Sequence, residues 1–112
     1  MANYQNVTPN LLGQAAVTTS YATIYTAPVG TRTYVKQIDI CNTTNGAVTI
    51  FISFVPSGGT AGASNALYFG QSIAANTTLS YSGVQVLLPG ATIQIKGGAT
   101  GLTVTASGGE AV

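Results

Sequence analysis

Thr33–Val55, TYVKQIDICNTTNGAVTIFISFV, is the stretch that decides how this chain is read. Two runs of alternating apolar residues flank a polar linker, Asn42-Thr43-Thr44-Asn45-Gly46. In the second run Val48, Ile50, Ile52 and Phe54 share one side, and Thr49, Phe51, Ser53 and Val55 the other. A period of two marks a strand with one buried face, because successive side chains leave a strand on opposite sides. Asn-Gly tolerates the positive φ that a tight β connection needs. The two runs are therefore expected to form a hairpin. In the first run Ile38 and Ile40 are in phase with Tyr34 and Lys36, whereas Val35 is out of phase. A β-bulge near Lys36 and Gln37 would return Val35 and Ile38 to one face. A strand covered on both sides in its first half is the alternative, and the pattern leaves both open.

Upstream, Tyr21–Thr26 (YATIYT) alternates and is closed by Ala27-Pro28-Val29-Gly30. Residues 1–20 carry no sustained period; Pro9, Asn10 and Gly13 interrupt the apolar Tyr4, Val7, Leu11 and Leu12. The chain is thus expected to divide into an N-terminal arm, 1–20, and a β-sandwich domain, 21–112. A frayed terminus is one reading of the arm. The other is docking on a neighbouring molecule, favoured because exposed leucine and tyrosine without a partner are a liability.

Downstream, Pro56–Ser64 is glycine-rich but lacks the Lys-Ser/Thr ending and helix start of a phosphate-binding loop, and reads as a flexible surface loop. Short strands are expected at Asn65–Phe69, Thr77–Tyr81, Val84–Leu88, Ala91–Lys96 and Leu102–Ala106, followed by a small-residue tail, Ser107–Val112. Leu88-Pro89-Gly90-Ala91 has proline and glycine where a type II turn wants them. About seven or eight strands with turn signals about 8–12 residues apart predict an all-β fold. The natural arrangement is an antiparallel two-sheet β-sandwich, immunoglobulin-like or jelly-roll-like.

At 112 residues the chain is one domain. Only 4% of it is charged: Arg32, Lys36, Lys96, Asp39 and Glu110. A net charge of +1 gives no field to steer it towards nucleic acid or anionic lipid, so neither is an expected partner. No apolar run approaches the about 20 residues of a membrane span, and no secretory signal opens the chain. The uncharged surface suits copies packed closely in a repetitive assembly and equally a small neutral domain.

Catalytic equipment is missing. There is no histidine. Asp39 is expected mid-strand and Glu110 in the tail, so nothing pairs them for acid–base work. Cys41 has no neighbouring base and reads as a buried thiol. One cysteine, no histidine and two carboxylates make no metal site, and no cofactor is expected. The six tyrosines read mostly as cross-strand filler, with one or two at a subunit contact. Arg32, Tyr34 and Lys36 with Asp39 form either a small contact patch or a solvated strand face.

Ile24-Tyr25-Thr26-Ala27-Pro28, Val35-Lys36-Gln37-Ile38, Cys41-Asn42-Thr43-Thr44, Phe54–Gly59 and Asn65-Ala66-Leu67-Tyr68 appear in sequence with Ser72–Asn76 and Leu88–Gln94. This arrangement resembles a β-sandwich module of tailed-bacteriophage virion proteins, most of all small head decoration (cement) proteins. The resemblance implies a structural protein on the capsid surface, assembled in the host cytoplasm. It would bind between subunits of the major capsid protein and stabilise the shell, and would associate with copies of itself, as trimers. The same module occurs in tail, fibre and neck-associated proteins, where it would bind host-surface carbohydrate or another virion protein. The contact residues expected are Tyr4, Val7, Leu11, Leu12, Arg32, Tyr34 and Lys36.

Overall fold

Alternating valine and isoleucine, stiff at χ1 and suited to a pleated surface, build the strands. A computed structural model of the chain describes residues 6–112. Among the described residues there are eight strands: β1 (Val7–Ala16), β2 (Ala22–Thr26), β3 (Arg32–Asn42), β4 (Val48–Val55), β5 (Ala66–Ile73), β6 (Thr78–Leu87), β7 (Thr92–Gly97) and β8 (Leu102–Ala111). They form two four-stranded antiparallel sheets, β1-β8-β3-β6 (sheet A) and β2-β7-β4-β5 (sheet B). Every connection except β4–β5 crosses from one sheet to the other, which is the jelly-roll form of the β-sandwich. Between the sheets lie Val35, Ile38, Ile40, Leu102 and Val104 from one side and Ile50, Ile52, Ile93 and Ile95 from the other, all essentially inaccessible to water. Each such side chain contributes about 1.5–3 kcal/mol relative to an exposed one.

The strands of Thr33–Val55 form, but not as a hairpin. β3 lies in sheet A and β4 in sheet B, so the linker is a corner between layers. The loop uses no positive φ at Asn45 or Gly46. It is held instead by the buried side chain of Asn42. Its Nδ2 donates to the carbonyls of Gly46 and Ile73, both at 2.9 Å. Its Oδ1 accepts from Thr44 N (2.9 Å) and Thr44 Oγ1 (2.7 Å).

Of the two readings of β3, the bulge is correct. Register shifts between Val35 and Gln37 against both β6 and β8, so Val35 and Ile38 are both fully buried while Lys36 and Gln37 are exposed. In β4 the expected alternation holds, with Val48, Ile50 and Ile52 in the core and Phe54 packed against it. Ser53 and Val55, on the other side, are buried as well, because the glycine-rich loop folds back over them. Ser53 Oγ donates to the Gly62 carbonyl (3.3 Å), and Asn65 ties the loop to itself through Thr60 and Gly62. At Leu88–Ala91 the Ala91 amide reaches the Leu88 carbonyl (3.0 Å) with Gly90 at φ 86°, as a type II turn demands.

Two boundaries read from the sequence are corrected. Val7–Ala16 is not an arm but strand β1, paired along its length with β8. Its period was masked by a bulge between Leu11 and Gly13 that turns Leu12 into the core. Likewise Ser107–Val112 is not a tail: β8 continues to Ala111 between β1 and β3. Small residues there reflect close backbone approach. A Cβ on Gly108 would run into the Tyr34 carbonyl oxygen and stand 3.2 Å from Lys36 N, both backbone atoms of the β3 bulge.

Candidate interaction surface

In the outer face of sheet A, bulges in three strands fall side by side: Leu12 in β1, Lys36 in β3, and Gly83-Val84 in β6. This line separates two halves of different chemistry. One carries Gln14, Thr105, Asp39 and Ser80 in register, a polar row. The other carries Pro9, Gly109, Tyr34 and Val86 in register across all four strands. Val7, Leu11, Val84 and Val86 of this second half are 49–56% exposed. Residues of β8 on this face are small, Ser107 and Gly109, so the surface sinks along β8 between ridges on β1 and β3.

The resulting groove encloses about 420 Å³ and is lined by Val7 and Pro9 from β1, Gly108 and Gly109 from β8, Tyr34 and Lys36 from β3, and Val84 from β6. An adjoining hollow is lined by Pro9, Asn10, Leu11, Lys36, Ser107 and Gly108. No acidic side chain lines either. Asp39 lies beyond the bulge line, where Gln37 Nε2 donates to both of its carboxylate oxygens (3.1 and 3.2 Å).

Of the expected contact residues, the fold thus gathers Val7, Tyr34 and Lys36 around one groove, with Leu11 beside it. Arg32 lies two residues before Tyr34, opposite Ala111, and is half-buried. Leu12 is corrected: it is only 6% exposed, packed in the core, and offers nothing to a partner. Tyr4 lies outside the described residues. Pro9, Val84, Val86 and the glycine floor were not anticipated. Paired glycines inside a strand were the available signal, since they mark close approach of another backbone. Cys41 is half-exposed on sheet A rather than buried.

Glu110 is held by residues of both sheets. Tyr25 of β2 donates its hydroxyl to Glu110 Oε2 (2.5 Å), and Asn10 of β1 donates Nδ2 to Oε1 (2.8 Å). A phenol has one hydrogen, so in the contact between Tyr25 and Thr33 (2.7 Å) the threonine hydroxyl donates. Burial, then the hydrogen bond to the carboxylate, push Tyr25 up to about 12 from 10.0. A raised folded-state pKa means that Tyr25 contributes its full stability below pH 10 and loses it as pH rises through about 12. The expected result is that urea midpoints of the parent fall across this window more steeply than those of Tyr25→Phe, which starts lower at neutral pH. Parallel curves would show that the clasp carries no stability.

Sheet B presents a different feature. Lys96 Nζ lies 4.8 Å from the Tyr21 ring centroid and 4.7 Å from that of Phe51, which meets Phe69 edge-on at 5.2 Å. Among the described residues no group of three or more His, Cys, Asp or Glu side chains is placed to hold a metal ion. No helix among them is long and apolar enough to cross a membrane.

No family model and no curated protein matches the chain. Solved structures do. A chain of infectious bursal disease virus, Gx strain, is similar over 99% of this chain with TM-score 0.51 and 13% identity. A chain of the T13 particle of the same virus is similar over 98%, with TM-score 0.53 and 11% identity. This chain spans about a third of each of those, 33% and 31%. A Bacillus endospore appendage protein, from disulfide-linked pili, is similar over 100% of this chain and 94% of its own, with TM-score 0.55 and 18% identity. At these identities the likeness is one of fold: the sandwich is shared with proteins of viral particles and of a pilus.

Proposed function

We propose that this chain is a non-enzymatic structural protein of a virion, which decorates the capsid of a tailed phage by binding between capsid subunits. One observation carries the reading. Half of one sheet face of the sandwich is an apolar groove, on a chain with 4% charge. Such a face favours burial against another protein and is unprotected by charge when free. The motif resemblance to decoration proteins and the fold likeness to chains of a viral particle support the same class. The disulfide linkage of the pilus protein does not carry over to this chain. A disulfide-linked polymer needs at least two cysteines per subunit, and this chain has one.

The expected result is that labelled protein, added to particles lacking it, occupies regularly spaced sites on the head, and that heads without it rupture at lower temperature. Label confined to the tail, or no occupancy, would overturn the reading. A second reading, an adsorption module, is favoured by the aromatic row on sheet B, where Phe69 is 60% exposed. It predicts label on the tail and binding of purified protein to host glycans.

A further inference from the structure

We propose that the groove over β8 receives one extended apolar segment of the partner protein, carrying a carboxylate that meets Lys36. This rests on the decoration reading and names its contact surface. The groove's walls stand on β1 and β3, the two strands flanking β8. They are therefore about 10 Å apart, two strand spacings. That width takes one extended chain, whereas a helix with its side chains measures about 10–12 Å across and would ride on the ridges. The floor of Ser107 and Gly109 lets a backbone approach closely, and Val7, Pro9 and Leu11 of β1 with Tyr34 of β3 supply apolar walls, Val84 of β6 lining the groove beyond the β3 wall. Strand addition at the free edge of β1 is disfavoured, because Pro9 removes a donor there.

Charge selects the occupant. Lys36 is exposed at the bulge beside the groove. Both acids of the chain are engaged elsewhere, Asp39 by Gln37 and Glu110 by Tyr25 and Asn10. These two are its entire carboxylate side-chain inventory, and both lie in strands paired on each side. Among the described residues a second copy therefore offers no unpaired extended segment that carries a side-chain acid, and the occupant is a different protein.

The test uses DNA-free shells assembled without this protein, titrated with the parent, Lys36→Glu, Lys36→Arg and, on sheet B, Phe69→Ser, each first checked for parent-like melting. Lys36→Glu is expected to bind at least about tenfold more weakly, with Lys36→Arg and Phe69→Ser close to parent. A carbodiimide, which joins an amine directly to a carboxylate, should link Lys36 rather than Lys96 to a shell peptide, read by mass spectrometry. Parent-like binding by Lys36→Glu, with cross-links only at Lys96, would overturn the groove and leave decoration standing. Failure of the parent itself to bind shells would remove decoration and this inference together. If Lys36→Glu changed the mass of the pure protein in light scattering, the occupant would be a second copy and the proposal wrong.

Discussion

Asn42→Ala is expected to lower stability by about 3–5 kcal/mol, the range reached when a buried hydrogen-bond network is broken. The side chain is fully buried and uses its whole capacity: two donors to the Gly46 and Ile73 carbonyls, two acceptor positions to Thr44. Alanine leaves the buried Ile73 carbonyl without this donor and frees the corner that carries the chain from sheet A to sheet B. Domains of this size have about 5–15 kcal/mol in total, so melting should fall by at least about 12 °C. Asn42→Asp should be no better, since a carboxylate presents lone pairs to two carbonyls and buries a charge. Thr44→Val, which removes one half-buried hydroxyl from the same network, should cost only about 1 kcal/mol. A melting temperature for Asn42→Ala within a few degrees of the parent would show that the corner is held by packing alone.

Gly108→Ala is expected to be comparably severe, at about 3 kcal/mol or more, or to yield insoluble protein. The new methyl would meet the Tyr34 carbonyl oxygen, with Tyr34 C at 3.0 Å and Lys36 N at 3.2 Å. All three are backbone atoms of the bulged central strand, so relief requires parting β3 from β8. Gly109→Ala is the control. Its closest contact, 2.9 Å, is a methyl of Val7, which can rotate away. Gly46→Ala, with nothing within 4 Å, should be near neutral. Urea midpoints of the three variants in the expected order would verify the argument. Equal midpoints for Gly108→Ala and Gly109→Ala would refute it.

Where the residues alternate cleanly, local pattern was enough. Ile93 and Ile95, Leu102 and Val104, and the Leu88–Ala91 turn are as read, because each depends only on side-chain alternation and on local backbone preference. Even the β3 bulge was visible as Val35 falling out of phase. The errors share a cause. Asn-Gly describes a turn that can reverse a chain within one sheet, but it does not say whether the next strand pairs or crosses over. At the corner Asn42 reaches the Ile73 carbonyl 31 residues away, a contact that no local turn signal announces. Val7–Ala16 and Ser107–Ala111 looked unstructured because Pro9, Gly13, Gly108 and Gly109 weaken a strand on their own. They form one by pairing with each other along β1 and β8.

The contact surface was half legible. Val7, Leu11, Tyr34 and Lys36 stood out as apolar or charged residues without an obvious core role. Nothing in the sequence joined them to Val84 and Val86 or to the glycine floor, since those meet only through cross-strand register. By itself, then, the sequence determined the layer chemistry of this protein: alternating aliphatic residues for two sheets and almost no charge to keep neighbours away. Tertiary structure decided which strands lie side by side and therefore which exposed residues share a face. Pairing partners more than fifty positions apart are selected by the summed burial of both sheets, a property of the whole chain that no short stretch contains.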